Sequence, residues 1–175
     1  MIETARLLLR LPEPRDRAAL HAMWADPEVM AELGPVKDAA ASDAVIAKHD
    51  ALRAEGLGFW IVERRADGVV IGFCGLKRGD AHNPIDGEIE AGWIIARPYW
   101  RQGYALEAME AALAWGWAHF DVPRIVAITS RINLKSQALM TRLGMARLAD
   151  GDFDHALIAE GDPLRPMVTF AISRP

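Results

Sequence analysis

Residues 98–112, PYWRQGYALEAMEAA, carry a strand-like segment through a short loop into a helical one. At such a junction the N–H groups of the first helical turn lack intrahelical acceptors, and the helix dipole favours negative charge beside them. Gly103 would let an anion approach the backbone, Ala105 keeps the next turn uncrowded, and Arg101 and Gln102 add donors. Phosphate is the guest this chemistry suits. The same letters also fit a plain turn, with Gly103 reversing the chain and Arg101 solvated, and by itself the short pattern favours the turn.

Other candidates lie nearby. Glu88 and Glu90 stand two apart on a strand-like run and share a face, where carboxylates can take up a proton, gather a cation or simply be solvated. Together with Asp86 they suggest an acidic mouth. Asn133 and Ser136 open a further helix and suit capping. Asp154 and His155 fall in a polar loop, where a histidine is most often just solvated. Phosphate loops of the Gly-x-x-x-x-Gly-Lys and Gly-x-Gly-x-x-Gly kinds are absent, and His21, His49 and His119 show no metal spacing.

The elements that must position these groups can be read in order. ARLLLRL, 5–11, reads as a strand ended by Pro12 and Pro14; a helix follows from about Arg15, and Asp26-Pro27 caps a short second one. Residues 34–41 read as loop, and a helix then runs from Ser42 to about Glu55, with Gly56 to stop it. Asp67-Gly68 joins two β-rich runs as a hairpin, and residues 88–96 resume strand character. Leu106, Met109, Leu113, Trp117 and Phe120 step at helical spacing from Tyr104 onward. RIVAITS, 124–130, reads as a strand covered on both faces, Leu134–Leu143 as a helix, 145–165 as irregular, and 167–173 as the last strand. This alternation predicts an α/β domain of three layers around a mixed sheet.

The totals agree. A chain of 175 residues, 51% apolar and 25% charged, suits one domain over 1–175. No apolar run approaches the ~18 residues of a spanning helix, so no membrane partner is expected. A net charge of −4 without basic runs argues against nucleic acid. Cys74 is the only cysteine, which fits a cytoplasmic protein.

Taken together, EIEAGWIIARPYWRQGYALEA (88–108) and RIVAITSRINLKSQALMTRLGM (124–145) resemble the GCN5-related N-acetyltransferase (GNAT) superfamily, and within it the RimJ/RimL-like branch. The likeness extends to IETARLLLR at the start, DPEVM at 26–30 and the tail DFDH…PLRPMV. It implies an α/β/α acyl-CoA N-acyltransferase fold with a mixed, mostly antiparallel sheet, acetyl-CoA as cosubstrate and no metal. The acceptor it implies is a primary amine, on a protein N-terminus or a small molecule, in a monomer or homodimer; a non-catalytic acyl-CoA-binding domain is the alternative. By the same resemblance the pyrophosphate would lie on the backbone from Arg101 through Gln102, Gly103 and Tyr104 to Ala105, although Trp100 stands where relatives carry Gln or Arg. Pantetheine would follow Trp93, Ile94, Ile95 and Ala96, and Asn133 would meet its amides. A backbone N–H at Ile94 or Ile95 would serve the oxyanion, Glu90 would take the amine proton, and Glu88, Glu90 and His155 would face the acceptor. Many relatives protonate the thiolate with a tyrosine at the position of Met140, three residues before Leu143-Gly144; Ser136 is the substitute.

Overall fold

A computed structural model of the chain describes all 175 residues. Its strands are β1 (Ile2–Glu3), β2 (Leu7–Arg10), β3 (Gly58–Arg64), β4 (Val69–Arg78), β5 (Ile89–Ile95), β6 (Arg124–Ser130), β7 (Ala146–Arg147), β8 (Phe153–Asp154) and β9 (Pro166–Ser173). The helices are α1 (Arg17–Ala25), α2 (Pro27–Met30), α3 (Ala39–Ala51), α4 (Tyr104–His119) and α5 (Leu134–Arg142). All strands form one sheet in the order β1-β2-β3-β4-β5-β6-β9-β7, with β8 also on β9. Every pairing is antiparallel except β5 with β6. That parallel pair is registered at one point, Glu90 opposite Val126, so the strands part company beyond it.

Two cores make the three layers. On one face, Leu20, Met23 and Trp24 of α1, Val29 and Met30 of α2 and Ile46 of α3 meet Phe59, Ile61, Phe73 and Ile94 of the sheet. On the other, α4 and α5 pack on Leu7, Leu9, Leu76, Ile89, Ala91, Ile125 and Val168. The buried surface of α4 is built from small residues, Ala108, Ala112 and Gly116, beside Met109 and Leu113. A Cβ on Gly116 would lie 2.5 Å from Leu76 Cδ1, so the missing side chain is what lets α4 ride close to β4. Leu106, Trp117 and Phe120, which the spacing puts in the same stripe, pack at the margin of that core.

Local chemistry accounts for most boundaries. Asp26 Oδ1 accepts from Glu28 N at 2.9 Å, with Pro27 as first helical residue, so the short α2 forms as the sequence predicts. Gly56, at φ 76°, ends the α3 region after a 3-10 turn, and Gly68, at φ 71°, closes the β3–β4 hairpin. The start of α3 differs from expectation: Asp38, whose Oδ1 accepts from Ala41 N at 2.8 Å, is the cap, and Ser42 is already inside and fully buried. The irregular 145–165 stretch contains the two-residue strands β7 and β8, too short to show alternation.

Candidate active site

The parting of β5 and β6 leaves one edge of β5 open. Ala96 N donates to Ile71 O, so the backbone groups of Ala96, Ile94 and Gly92 point at β4 and those of Ile95, Trp93 and Ala91 point the other way. Ile95 O confirms the sense, since it accepts from Trp100 Nε1 at 2.7 Å. A cleft of about 490 Å³ opens there, between β5, the 96–103 loop with the start of α4, the α2 region and α5.

At the end of this cleft stands the N-terminus of α4. Gly103, at φ 81°, is its cap residue and supplies no side chain. Glu107 N to Gly103 O is the first bond of the helix, and none of the N–H groups from Arg101 to Leu106 has an acceptor in the protein. The opening of the chain fixes this loop. Glu107 accepts from Thr4 Oγ1 at 2.6 Å, from Arg6 N at 2.7 Å and from Arg6 Nε at 2.6 Å, while Arg6 Nη1 reaches Gln102 O at 2.9 Å. Those contacts hold the Glu107 carboxyl below its ordinary range, overcoming the upward push of burial.

Arg101, Lys135 and Arg142 bring positive charge to the cleft wall. Lys135 Nζ lies 4.8 Å from the centre of the Trp100 ring and 3.2 Å from Glu32 Oε2. A cation is therefore held against the indole from across the cleft, at the loop position where the resembled family has a polar or basic side chain.

Of the residues singled out in the sequence, Trp93, Ile94, Ile95, Arg101, Gly103, Tyr104, Ala105, Asn133 and Ser136 line the cleft. The rest are placed differently. Ala96 is outside the lining, its N–H spent on β4, and Ile94, whose side chain does line the cleft, likewise turns its N–H toward β4; Ile95 and Trp93 hold the free donors. Gln102 turns its amide back to Pro98 O at 2.9 Å. Asn133 is buried and caps α5, its Oδ1 accepting from Ser136 N at 3.0 Å, so the hydroxyl of Ser136 is left free for the cleft. Met140 is sealed in the core and offers nothing to the site.

The carboxylates form no acidic mouth. Glu90 is 5% exposed and binds Lys77 Nζ at 2.6 Å; Lys77 also holds Asp80 at 3.1 Å, which holds Lys48 at 2.7 Å. Burial pushes the Glu90 carboxyl up, with Lys77 pulling against it. Glu88 is ion-paired to Arg124. His155 lies outside the cleft lining, its N–H on Arg165 O at 2.9 Å and its Nδ1 accepting from Leu157 N at 3.2 Å; burial lowers its pKa.

Tyr99, Lys135, Arg142 and Leu139 join the site without having been singled out in the sequence. For α5 a signal existed: residues 135, 138, 139 and 142 share one helical face with Ser136 beside them. No group of three His, Cys, Asp or Glu side chains that could hold a metal ion occurs. No helix is long and apolar enough to cross a membrane.

Comparison with known proteins gives this geometry a setting. The family described as "Acetyltransferase (GNAT) domain" matches residues 6–146. The Bacillus licheniformis protein named "Uncharacterized N-acetyltransferase p20" is 31% identical over 148 residues, covering 82% of this chain and 81% of its own. The crystal structure of a GNAT-family acetyltransferase from Bacillus anthracis superposes with a TM-score of 0.79 at 25% identity, over 99% of this chain and 98% of its own. Spermidine N-acetyltransferase from Vibrio cholerae, solved with CoA and spermine, shares the fold with a TM-score of 0.75 at 18% identity, over 98% and 97% of the two chains.

Proposed function

The chain belongs to the GNAT acetyltransferase family, and from that premise we propose that it transfers the acetyl group of acetyl-CoA to a primary amine by direct attack on the thioester, within the RimJ/RimL-like branch. The observation that carries this reading is the meeting, in one cleft, of an open strand edge and an unpaired row of helix N-terminal N–H groups. An extended, amide-bearing arm can pair with the first and a pyrophosphate can sit on the second.

Acetyl-CoA supplies an acetyl group activated as a thioester. Arg101 to Ala105 hold the pyrophosphate by backbone donors, and the edge groups of Trp93 and Ile95 hold the arm. The N–H of Ile95 or Trp93 stabilises the carbonyl oxygen as it takes on charge, since both point into the gap. Glu90 shares its β5 face with Gly92 and Ile94 and takes the amine proton through water; its burial raises its basicity, with Lys77 pulling against that rise. Ser136, on the opposite wall, protonates the departing sulfur.

Release of CoA thiol from acetyl-CoA with a panel of amines tests the activity. Glu90→Gln is expected to lower kcat by about 100-fold or more, the scale of a lost general base. Ser136→Ala is expected to lower kcat about tenfold with the Michaelis constant for acetyl-CoA unchanged. A thermal shift with CoA but no thiol release with any amine would instead mark an acyl-CoA-binding domain.

A further inference from the structure

Next to the cleft, and sharing Leu33, Trp93 and Ile94 with it, lies a second cavity of about 200 Å³. It is smaller than the ~300–1,000 Å³ usual for drug-sized ligands, so it suits a small guest. Trp24, Met30, Val45, Phe59 and Phe73 wall it, and His49 and Lys37 are its only side chains that are not hydrophobic. Gly92 shapes it: a Cβ there would lie 2.5 Å from Phe59 Cζ, so the bare backbone is what admits the ring.

His49 is 6% exposed, and its Nδ1 has no hydrogen-bond partner. It stacks on Phe59 at 4.0 Å and meets the edge of Phe73 at 5.1 Å. Burial drives its pKa down to about 3, helped by Lys77, Arg53 and Lys48 and opposed by Asp80. The ring is thus an uncharged group with unused hydrogen-bonding capacity, a costly thing to bury at about 1–3 kcal/mol unless something else meets it. Asp80, the carboxylate that opposes the shift, is itself held by Lys77 and Lys48, and Glu90 is held by Lys77. Lys37 adds a further positive charge at the wall.

We propose that this cavity seats the acceptor, and that the acceptor is a small primary amine on an aromatic or branched apolar body, oriented by His49, rather than a polyamine or a protein N-terminus. The inference rests on the transferase reading above. In the step it serves, the amine nitrogen bonds to the acetyl carbon, the carbon–sulfur bond breaks, and one proton passes overall from nitrogen to sulfur, giving the N-acetyl amine and CoA thiol. A neutral amine is the attacking species, and a cavity without net negative charge does not favour its protonated form.

CoA release is measured with 2-phenylethylamine, isoamylamine, spermidine and a short peptide with a free N-terminus. Either apolar amine is expected to exceed spermidine and the peptide at least tenfold in kcat/KM. His49→Phe, which keeps the stack, and Met30→Trp, which fills the cavity, are each expected to raise KM for the amine at least fivefold with KM for acetyl-CoA unchanged. Preference for spermidine or the peptide overturns the substrate class and leaves the transferase reading standing. Unaltered amine KM in both variants, when folded, overturns the cavity as the seat; should neither fold, the wild-type ranking of amines decides. No release with any amine, while CoA still raises Tm, overturns the transferase reading and this inference with it.

Discussion

His49 is a residue whose sequence context hides what it does. It sits in α3 among residues that are mostly exposed or polar, and nothing in AKHDA marks it as buried; only the approach of Phe59 and Phe73 from β3 and β4 makes it so. That burial has a thermodynamic signature. In the unfolded chain the imidazole takes a proton below about pH 6.5, whereas in the folded chain it resists until about 3. Its contribution to stability is therefore complete above 6.5 and is lost as pH falls from 6.5 toward 3, amounting to about 2 kcal/mol at pH 5. Urea unfolding at pH 7 and pH 5 should show wild type losing about that much more stability than His49→Phe. An equal loss in both would mean the ring is not held neutral. Glu90 illustrates the converse: the sequence singles it out, yet its partner Lys77 lies thirteen residues away on the neighbouring strand, so whether it is solvated or sealed could not be read locally.

At the scale of elements, the loop between β5 and α4 has a geometry that its letters hint at. Arg101 is the one non-glycine residue with positive φ, 58°, and Gly103 follows at 81°. Two left-handed residues so close together curl the backbone so that its N–H groups can converge on an anion. Gly103→Val should raise the Michaelis constant for acetyl-CoA tenfold or more, because a β-branched residue resists that conformation and its Cβ would crowd Arg6 Nη2 at 3.3 Å. Arg101→Ala should raise it less than threefold. Equal effects would shift the binding from the backbone to the guanidinium. The elements themselves were largely legible: β6 runs over the seven residues the apolar run indicates, and α4 starts at the residue expected. The buried face of α4 was not, because hydrophobic spacing weighs large side chains, and here close packing selects alanine and glycine. The acceptor cavity was illegible for a different reason, since Trp24, His49, Phe59 and Phe73 come from four elements that only the sheet brings together.

For the molecule as a whole, the N-terminal half of the sheet is secured by a buried ionic node. Arg10 is 8% and Asp16 2% exposed; Arg10 Nη2 meets Asp16 Oδ1 at 2.7 Å and Arg10 Nε meets Glu63 Oε2 at 2.7 Å, joining β2, the turn before α1 and β3. Burial would raise the Asp16 carboxyl, but Arg10 and the N–H of Glu13 outweigh it and hold it low. Asp16→Asn removes the carboxylate that Arg10 holds with two hydrogen bonds and leaves Arg10 to Glu63 alone, and should cost about 1–3 kcal/mol in denaturant unfolding. A cost under 1 kcal/mol would show the node to be relieved by water. The β6-β9-β7 half has no share in this node and meets the other half through the parting strands β5 and β6. Sheets ordinarily keep their unpaired edges at the margins, where charge, proline or brevity discourages strangers from docking; this one carries such an edge at its middle. A neighbouring polypeptide would need room for side chains above and below it, and there the flanks are occupied by Trp93, Val29, Leu33 and Leu139. The flanks thus set the terms of entry to the gap: a slim chain of amides has room there that the side chains of a protein strand would have to contest.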